Sequence, residues 1–277
     1  MTRAGSALWR AAALSVITAG VLAAPASAQG VRDQLRIPLP PSFDVPARGS
    51  FAAPAIAIGV PTGFGADFGD VFVGVGYQSR TRFSEDADGG AVIGLGLGDA
   101  RRYVGLEVAA TQFGTFRSCC RGGLSFKLHR MLPGATGIAV GWENAVGWGH
   151  LSGDEDSPFT DAGSSVYGVV SKIFFLQDDP AIPFSSVAAT VGAGNGRFRA
   201  EDDILGDRES VNVFGSLAVR VVEPASVIAS WTGQDLNAGV SLVPLRRFPL
   251  VITAGAADLT TEPRAIIGVG FGISYPY

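Results

Sequence analysis

The chain predicts an all-β fold, a single antiparallel transmembrane β-barrel of about twelve strands, from three observations. Hydrophobic residues make up 47% of the 277 positions and charged residues only 17%. Yet no stretch beyond the N-terminus reaches the roughly 18 consecutive apolar residues a membrane helix needs. Apolar residues that are abundant but dispersed fit alternation, the pattern of a strand with one face in lipid and one in a lumen. Second, the 38 glycines weigh against helices, since each interior glycine costs a helix about 1 kcal/mol relative to alanine. They follow no Gly-x-y period, which excludes a collagen-like chain. Third, the C-terminal run sorts its residues onto two faces. Ile267, Val269, Phe271, Ile273, Tyr275 and Tyr277 share one, and Gly268, Gly270, Gly272 and Ser274 share the other.

Residues 1–28 read as a secretory signal. Arg3 and Arg10 supply the positive region, Ala11 to Ala24 the apolar core, and Ala26-Ser27-Ala28 a small-residue cleavage site. An uncleaved N-terminal anchor is the alternative. Residues 29–69 are a Pro-rich N-terminal segment, with Pro38, Pro40, Pro41, Pro46 and Pro54 close together. They are expected to form an extended periplasmic linker outside the barrel. The short alternating run Ile56, Ile58, Val60 lies inside this segment and is excluded from the barrel, because counting it would make the strand number odd.

The barrel itself is expected over 70–277. Alternating runs separated by turn signals place strands near 70–82, 90–98, 102–113, 122–130, 136–149, 164–175, 184–194, 210–222, 225–233, 236–243, 249–257 and 265–277. With both chain ends in the periplasm, the long connections 83–89, 114–121, 150–163, 195–209 and 258–264 fall on the outer side. Mostly short turns fall on the inner side, the asymmetry such barrels show. The connection 234–235 is the short exception on the outer side.

Ionisable residues within strands sit opposite the apolar face. Glu107 opposes Val104, Leu106 and Val108; Lys127 and His129 oppose Leu124, Phe126 and Leu128. Glu143 opposes Ile138, Val140 and Trp142, and Arg220 opposes Leu217, Val219 and Val221. A cation facing lipid near mid-membrane costs about 2–4 kcal/mol, which gives this sorting a physical cause. All five are therefore expected to face the lumen. A hairpin centred near residue 117 sets Glu107 across from Lys127, and the turn at Pro133-Gly134 brings Glu143 diagonal to it. Lys127 is then expected to bridge two carboxylates, as a structural ion-pair network or as a selectivity constriction.

Other chemistries find little footing. No Gly-x-Ser-x-Gly elbow and no His-Glu-x-x-His occurs, and Gly192-Ala193-Gly194-Asn195-Gly196 lacks a P-loop lysine. His150 has Ser152 and Asp154 nearby, a loop cluster more readily explained by chance than by catalysis. The chain is read as no enzyme and as needing no cofactor. The adjacent Cys119 and Cys120 lack the geometry for an unstrained bridge and the spacing for a tetrahedral metal site. The outer connections are acidic: Glu85, Asp86 and Asp88 in one, Asp154, Glu155, Asp156 and Asp161 in another, Glu201, Asp202, Asp203, Asp207 and Glu209 in a third. They are read as solvated loop tips, or as loose binders of divalent cations. The net charge of -4, with no basic patch, disfavours nucleic-acid binding.

The final strand, with Phe271, Ile273, Tyr275 and the terminal Tyr277 at every second position, resembles the C-terminal signal of bacterial outer-membrane β-barrel proteins. Pro276 departs from that pattern. In that family the assembly machinery reads this segment, so the resemblance implies the bacterial outer membrane as location, with outer-membrane lipid and the barrel assembly machinery as partners. Trp231-Thr232-Gly233-Gln234-Asp235-Leu236-Asn237, followed by Pro249-Leu250-Val251-Ile252-Thr253, resembles uncharacterised cyanobacterial and proteobacterial barrels. It is more distantly similar to barrels encoded with exopolysaccharide export systems. Neither likeness implies an activity for a particular residue. The function expected first is a narrow passive pore for small solutes. The alternatives are a structural or surface-interaction barrel with a closed lumen, and then a lipid-modifying enzyme of the outer membrane.

Overall fold

The computed structural model describes residues 52–82, 87–113, 121–149, 163–179, 181–245 and 248–274. Twelve strands form one closed antiparallel barrel in which each pairs with its chain neighbours and β1 closes against β12. In order they are β1 Asp70–Gln78, β2 Asp88–Gly98, β3 Gly105–Phe113, β4 Arg121–Leu132, β5 Thr136–Trp148, β6 Ser165–Phe175, β7 Ser186–Gly194, β8 Asn212–Val222, β9 Ala225–Trp231, β10 Leu236–Leu242, β11 Leu250–Ala257 and β12 Arg264–Ser274. The expected fold class is the observed one, and the expected strands coincide with these to within a few residues. Among the described residues the helical pieces are a 3-10 turn at Gly196–Phe198 and a short helix, α1, at Glu201–Leu205.

Alternation decides which way each side chain points. Along β1 the burial pattern alternates strictly, with Phe72 inside and Val71, Val73 and Val75 outside. On β5, Ala139 is 6% exposed while its neighbour Val140 is 58% exposed. Around the barrel the outward positions carry Ile93, Leu95, Leu128, Val170, Val191, Leu217, Val227, Val240 and Ile267. Such a belt is unstable in water and stable in hydrocarbon. Exposed aromatics gather toward its two ends. Trp148 and Trp231 lie where the long connections emerge, and Tyr103, Phe174, Phe175, Phe184 and Phe248 lie where the short turns do. These are the girdle positions of membrane barrels.

The closing seam pairs Val73 with Phe271 and Phe72 with Gly272, so apolar side chains share the outer face there and glycine makes room on the inner one. Phe271 packs on Phe248 with ring centroids 4.9 Å apart. Of the expected assembly-signal residues, Ile273 pairs with Val71 through its backbone. Tyr275 and Tyr277 lie outside the described residues, as do Cys119, Cys120, His150, Ser152 and the acidic stretch 154–161.

Small side chains dominate the inner face: Ala109, Ala139, Ser171, Ala188, Ser216, Ala218, Ser230 and Ser241 are all buried. Their small volume would leave the middle of the barrel hollow. The chain itself fills that space. Residues 53–66 are almost wholly buried, and Ile56, Ile58 and Phe64 pack against Ile173, Ala188, Ala218 and Ile228 of the wall. The expectation that all of 29–69 lies outside the barrel is thereby corrected for its described part. A linker in water would be polar, whereas Ala52 to Ala66 contains no charged residue and several large apolar ones. Burial inside a small-residue wall is where such a sequence is stable. The run Ile56–Val60 is no barrel strand, as expected, but it lies within the lumen.

Candidate functional site

The lumen and its mouth at the long-loop end form one continuous site, built around this internal segment. Ala52 packs beside Val243 and Val251 at the short-turn end. The chain then rises. The Ala55 amide donates to Ser241 Oγ (2.9 Å), the Ile58 amide donates to Ser230 Oγ (3.0 Å), and Ser216 Oγ donates to the Ile56 carbonyl (3.0 Å). At Gly59 the backbone adopts φ +74°, a left-handed conformation glycine adopts without strain. Its carbonyl accepts from Arg197 at the long-loop end (2.7 Å).

The return limb descends along the opposite wall. The Gly63 amide donates to Ser171 Oγ (2.9 Å) and the Ala66 amide to Glu107 Oε2 (2.9 Å). His129 Nε2 lies 3.0 Å from the Ala66 carbonyl. A Cβ at Gly65 would lie 2.1 Å from the His129 ring, so glycine is required for that approach. The limb ends at the short-turn end, where Asp67 accepts from the Ala100 amide (2.8 Å) and the Phe68 amide donates to the Gly98 carbonyl (2.8 Å). The segment is thus a U whose two arms enter and leave through the same end. Every buried polar atom named here meets a partner, as burial demands.

Each residue expected in the lumen is placed as follows. Glu107 and Lys127 are directly opposed on β3 and β4, with Lys127 Nζ 3.2 Å from Glu107 Oε1 and both side chains 4% exposed. His129 faces the lumen two residues further along, 3.9 Å from Asp67 Oδ1. Arg220 lies on β8 near the turn end, with Glu223 as a neighbouring charge. Glu143 does not join Lys127. A register shift between Leu124 and Phe126 changes the β4–β5 alignment, and Arg197 captures Glu143 through Nε (2.5 Å) and Nη2 (2.9 Å). The expected double bridge through Lys127 is therefore corrected to two separate pairs. A fork–fork Arg–carboxylate pair is the stronger competitor, because it makes two charge-assisted hydrogen bonds at once.

Sequence reasoning missed the partners that come from connections. The β7–β8 connection folds inward, so Phe198 is fully buried, stacked on Phe214 (4.4 Å) and edge-on to Tyr167 (5.8 Å). Its neighbour Arg197 ties three things together: β5 through Glu143, the turn of the internal segment through Gly59, and Gln234, which donates to the Arg197 carbonyl (2.5 Å). No periodic signal reveals such a residue, since loops carry no period.

Beside it lies a second network. Arg82 reaches Asp258 (2.8 Å), Glu201 (2.8 Å) and Asp235 (3.3 Å), and Arg264 reaches Asp258 (2.9 Å). Burial alone would lower the Arg82 pKa, but the hydrogen bond to Glu201 and the surrounding carboxylates outweigh it and raise it. Burial alone would likewise raise the Asp235 carboxyl. Hydrogen bonds from the Thr260 and Thr261 hydroxyls and from the Thr260 and Leu236 amides overcome this and hold it at about 2. Asp258 goes the other way, raised chiefly by burial despite Arg264 and Arg82. Among the described residues no group of three His, Cys, Asp or Glu side chains is placed to hold a metal. Glu201 and Asp203 are instead paired with Arg82 and Arg208.

Between the turn of the U and this network a cavity of about 60 Å³ remains, lined by Ile58 and Gly59, by the β1 end and by β10 to β12.

No protein-family model and no curated protein matches the chain. Among solved structures, the N-terminal β-barrel domain of Pseudomonas aeruginosa OprF is similar at 11% identity and a TM-score of 0.21, covering 74% of this chain and 98% of that one. At that score the likeness carries no argument. The barrel described above rests on its own strand pairing.

Proposed function

We propose that this chain is an outer-membrane barrel with a closed lumen, a structural or surface-interacting element and not a passive pore. The observation that carries the reading is the internal segment: residues 53–66 are buried, and they are hydrogen-bonded to Ser171, Ser216, Ser230, Ser241 and Glu107 around the wall. An export signal at 1–28 and an apolar belt between aromatic ends support insertion in the outer membrane. The partners in this reading are outer-membrane lipid along the belt and the assembly machinery at the last strand. No catalytic role is assigned.

Planar-bilayer recording of the refolded full chain tests it. The intact protein is expected to show no steady conductance, and a variant lacking residues 53–66 to show discrete open steps. Steady ohmic conductance from the intact chain would restore the pore, with Glu107 and Lys127 as its constriction. The intact recording decides the matter even where the shortened chain does not refold.

A further inference from the structure

We propose that the cavity at the long-loop end binds a small neutral polyol. The argument starts from unsatisfied atoms. Gln78 Oε1 and Gln234 Oε1 are buried without a hydrogen-bond partner, and so is Arg82 Nε. All three side chains line the one cavity. Two acceptors and a donor left bare around an enclosed space are costly, and a ligand with matching groups removes that cost. A hydroxyl both donates and accepts, so a molecule with several hydroxyls serves both carboxamide oxygens and the guanidinium.

Charge selects against ions. The guanidiniums that line the cavity are already engaged: Arg82 by Asp235, Asp258 and Glu201, Arg264 by Asp258, and Arg197 by Glu143. An anion finds no free positive charge there, and an ammonium ion finds no carboxylate that is not already held by a guanidinium. One wall is apolar, formed by Ile58, Ala257 and Ile266, and the facing polar residues include Asn237 and Thr253. An apolar wall with a few convergent polar groups is the usual make-up of a small-molecule site. It suits the C–H face of a polyol against the wall and its hydroxyls toward the amides. The volume of about 60 Å³ admits about four to six water-sized groups, the size of a triol. The site goes beyond the closed-barrel reading.

The test is saturation-transfer NMR on the full chain refolded in an amine-oxide detergent, with glycerol as the probe. Glycerol is expected to receive saturation, and phosphate is expected not to compete. Gln234→Leu and Gln78→Leu should each weaken binding by about tenfold, the change that loss of one well-placed hydrogen bond corresponds to. Ala257→Leu fills the cavity without removing a polar group and should abolish binding, which keeps the test decisive if a glutamine variant does not refold. Absence of transfer to glycerol would mean that the cavity holds only water and would overturn the proposal. Competition by phosphate, or unchanged binding in Ala257→Leu, would overturn it equally.

Discussion

The two limbs of the internal segment are held in different ways. The rising limb, Ala53 to Ile58, is held by neutral hydroxyls of β8, β9 and β10: Ser216, Ser230 and Ser241. The returning limb meets one hydroxyl, Ser171, and then the charges of Glu107, Lys127 and Asp67 together with the imidazole of His129. A serine is cheap to bury and either donates or accepts, so it accommodates whichever backbone group arrives. A buried ion pair is favourable only when its geometry is good and its remaining atoms are satisfied. The hydroxyl side therefore holds a plain Ala/Ile sequence without specifying it closely, whereas the charged side fixes one position, Ala66, against one carboxylate and one imidazole.

The largest effect expected from breaking this contrast is at Lys127. Lys127→Ala leaves the Glu107 carboxylate buried without its cation, and loss of one partner of a buried pair costs about 3–5 kcal/mol. Chemical unfolding of the refolded barrel should show it, and the double change Glu107→Gln with Lys127→Met should recover most of the loss. If the single variant unfolds like the parent, the pair contributes nothing and the contrast between limbs fails.

A smaller effect is expected on the hydroxyl side. Ser230→Ala strands the Ile58 amide, which costs about 1–3 kcal/mol for an unsatisfied buried donor. The same unfolding measurement should rank it below Lys127→Ala; the reverse order would mean that the rising limb is the more tightly specified of the two.

A pH-dependent effect is expected at Asp235, where hydroxyls and a guanidinium act on the same carboxylate. Its folded pKa of about 2 lies below the unfolded value of about 3.9. Its stabilising contribution is thus complete above the unfolded value and is lost as pH falls through about 2. Melting temperatures of the parent and of Asp235→Asn should converge as pH is lowered from 5 toward 2. A gap that stays constant across that range would show that the carboxylate charge is not what holds Thr260 and Thr261.

The strands were legible because each obeys a period of two over many residues, and Glu107 opposite Lys127 followed from the hairpin centre alone. Glu143 was not legible, for two reasons. A register shift at Leu124/Phe126 moves the neighbouring strand, and the winning partner, Arg197, comes from a folded connection that no periodicity describes. The internal segment was hidden by its prolines, which imitate a linker. The signal that exposes it is subtler: an uncharged, alanine- and isoleucine-rich stretch has no reason to sit in water, and an inner wall of serines and alanines has space to receive it. Read together, those two facts point to each other; read apart, each looks unremarkable.

The U shape of the segment also bears on how the molecule is made. Because its arms enter and leave by one mouth, the segment can enter the ring as a loop, and the path of the described residues contains no knot. The twelve staves can close in either order relative to the cork. Yet contacts such as Ala55 with Ser241 join residues 186 positions apart, and pairings that distant form slowly. The closing seam joins positions as distant, Asp70 with Ser274, so ring closure and the seating of the segment both belong to the late part of folding.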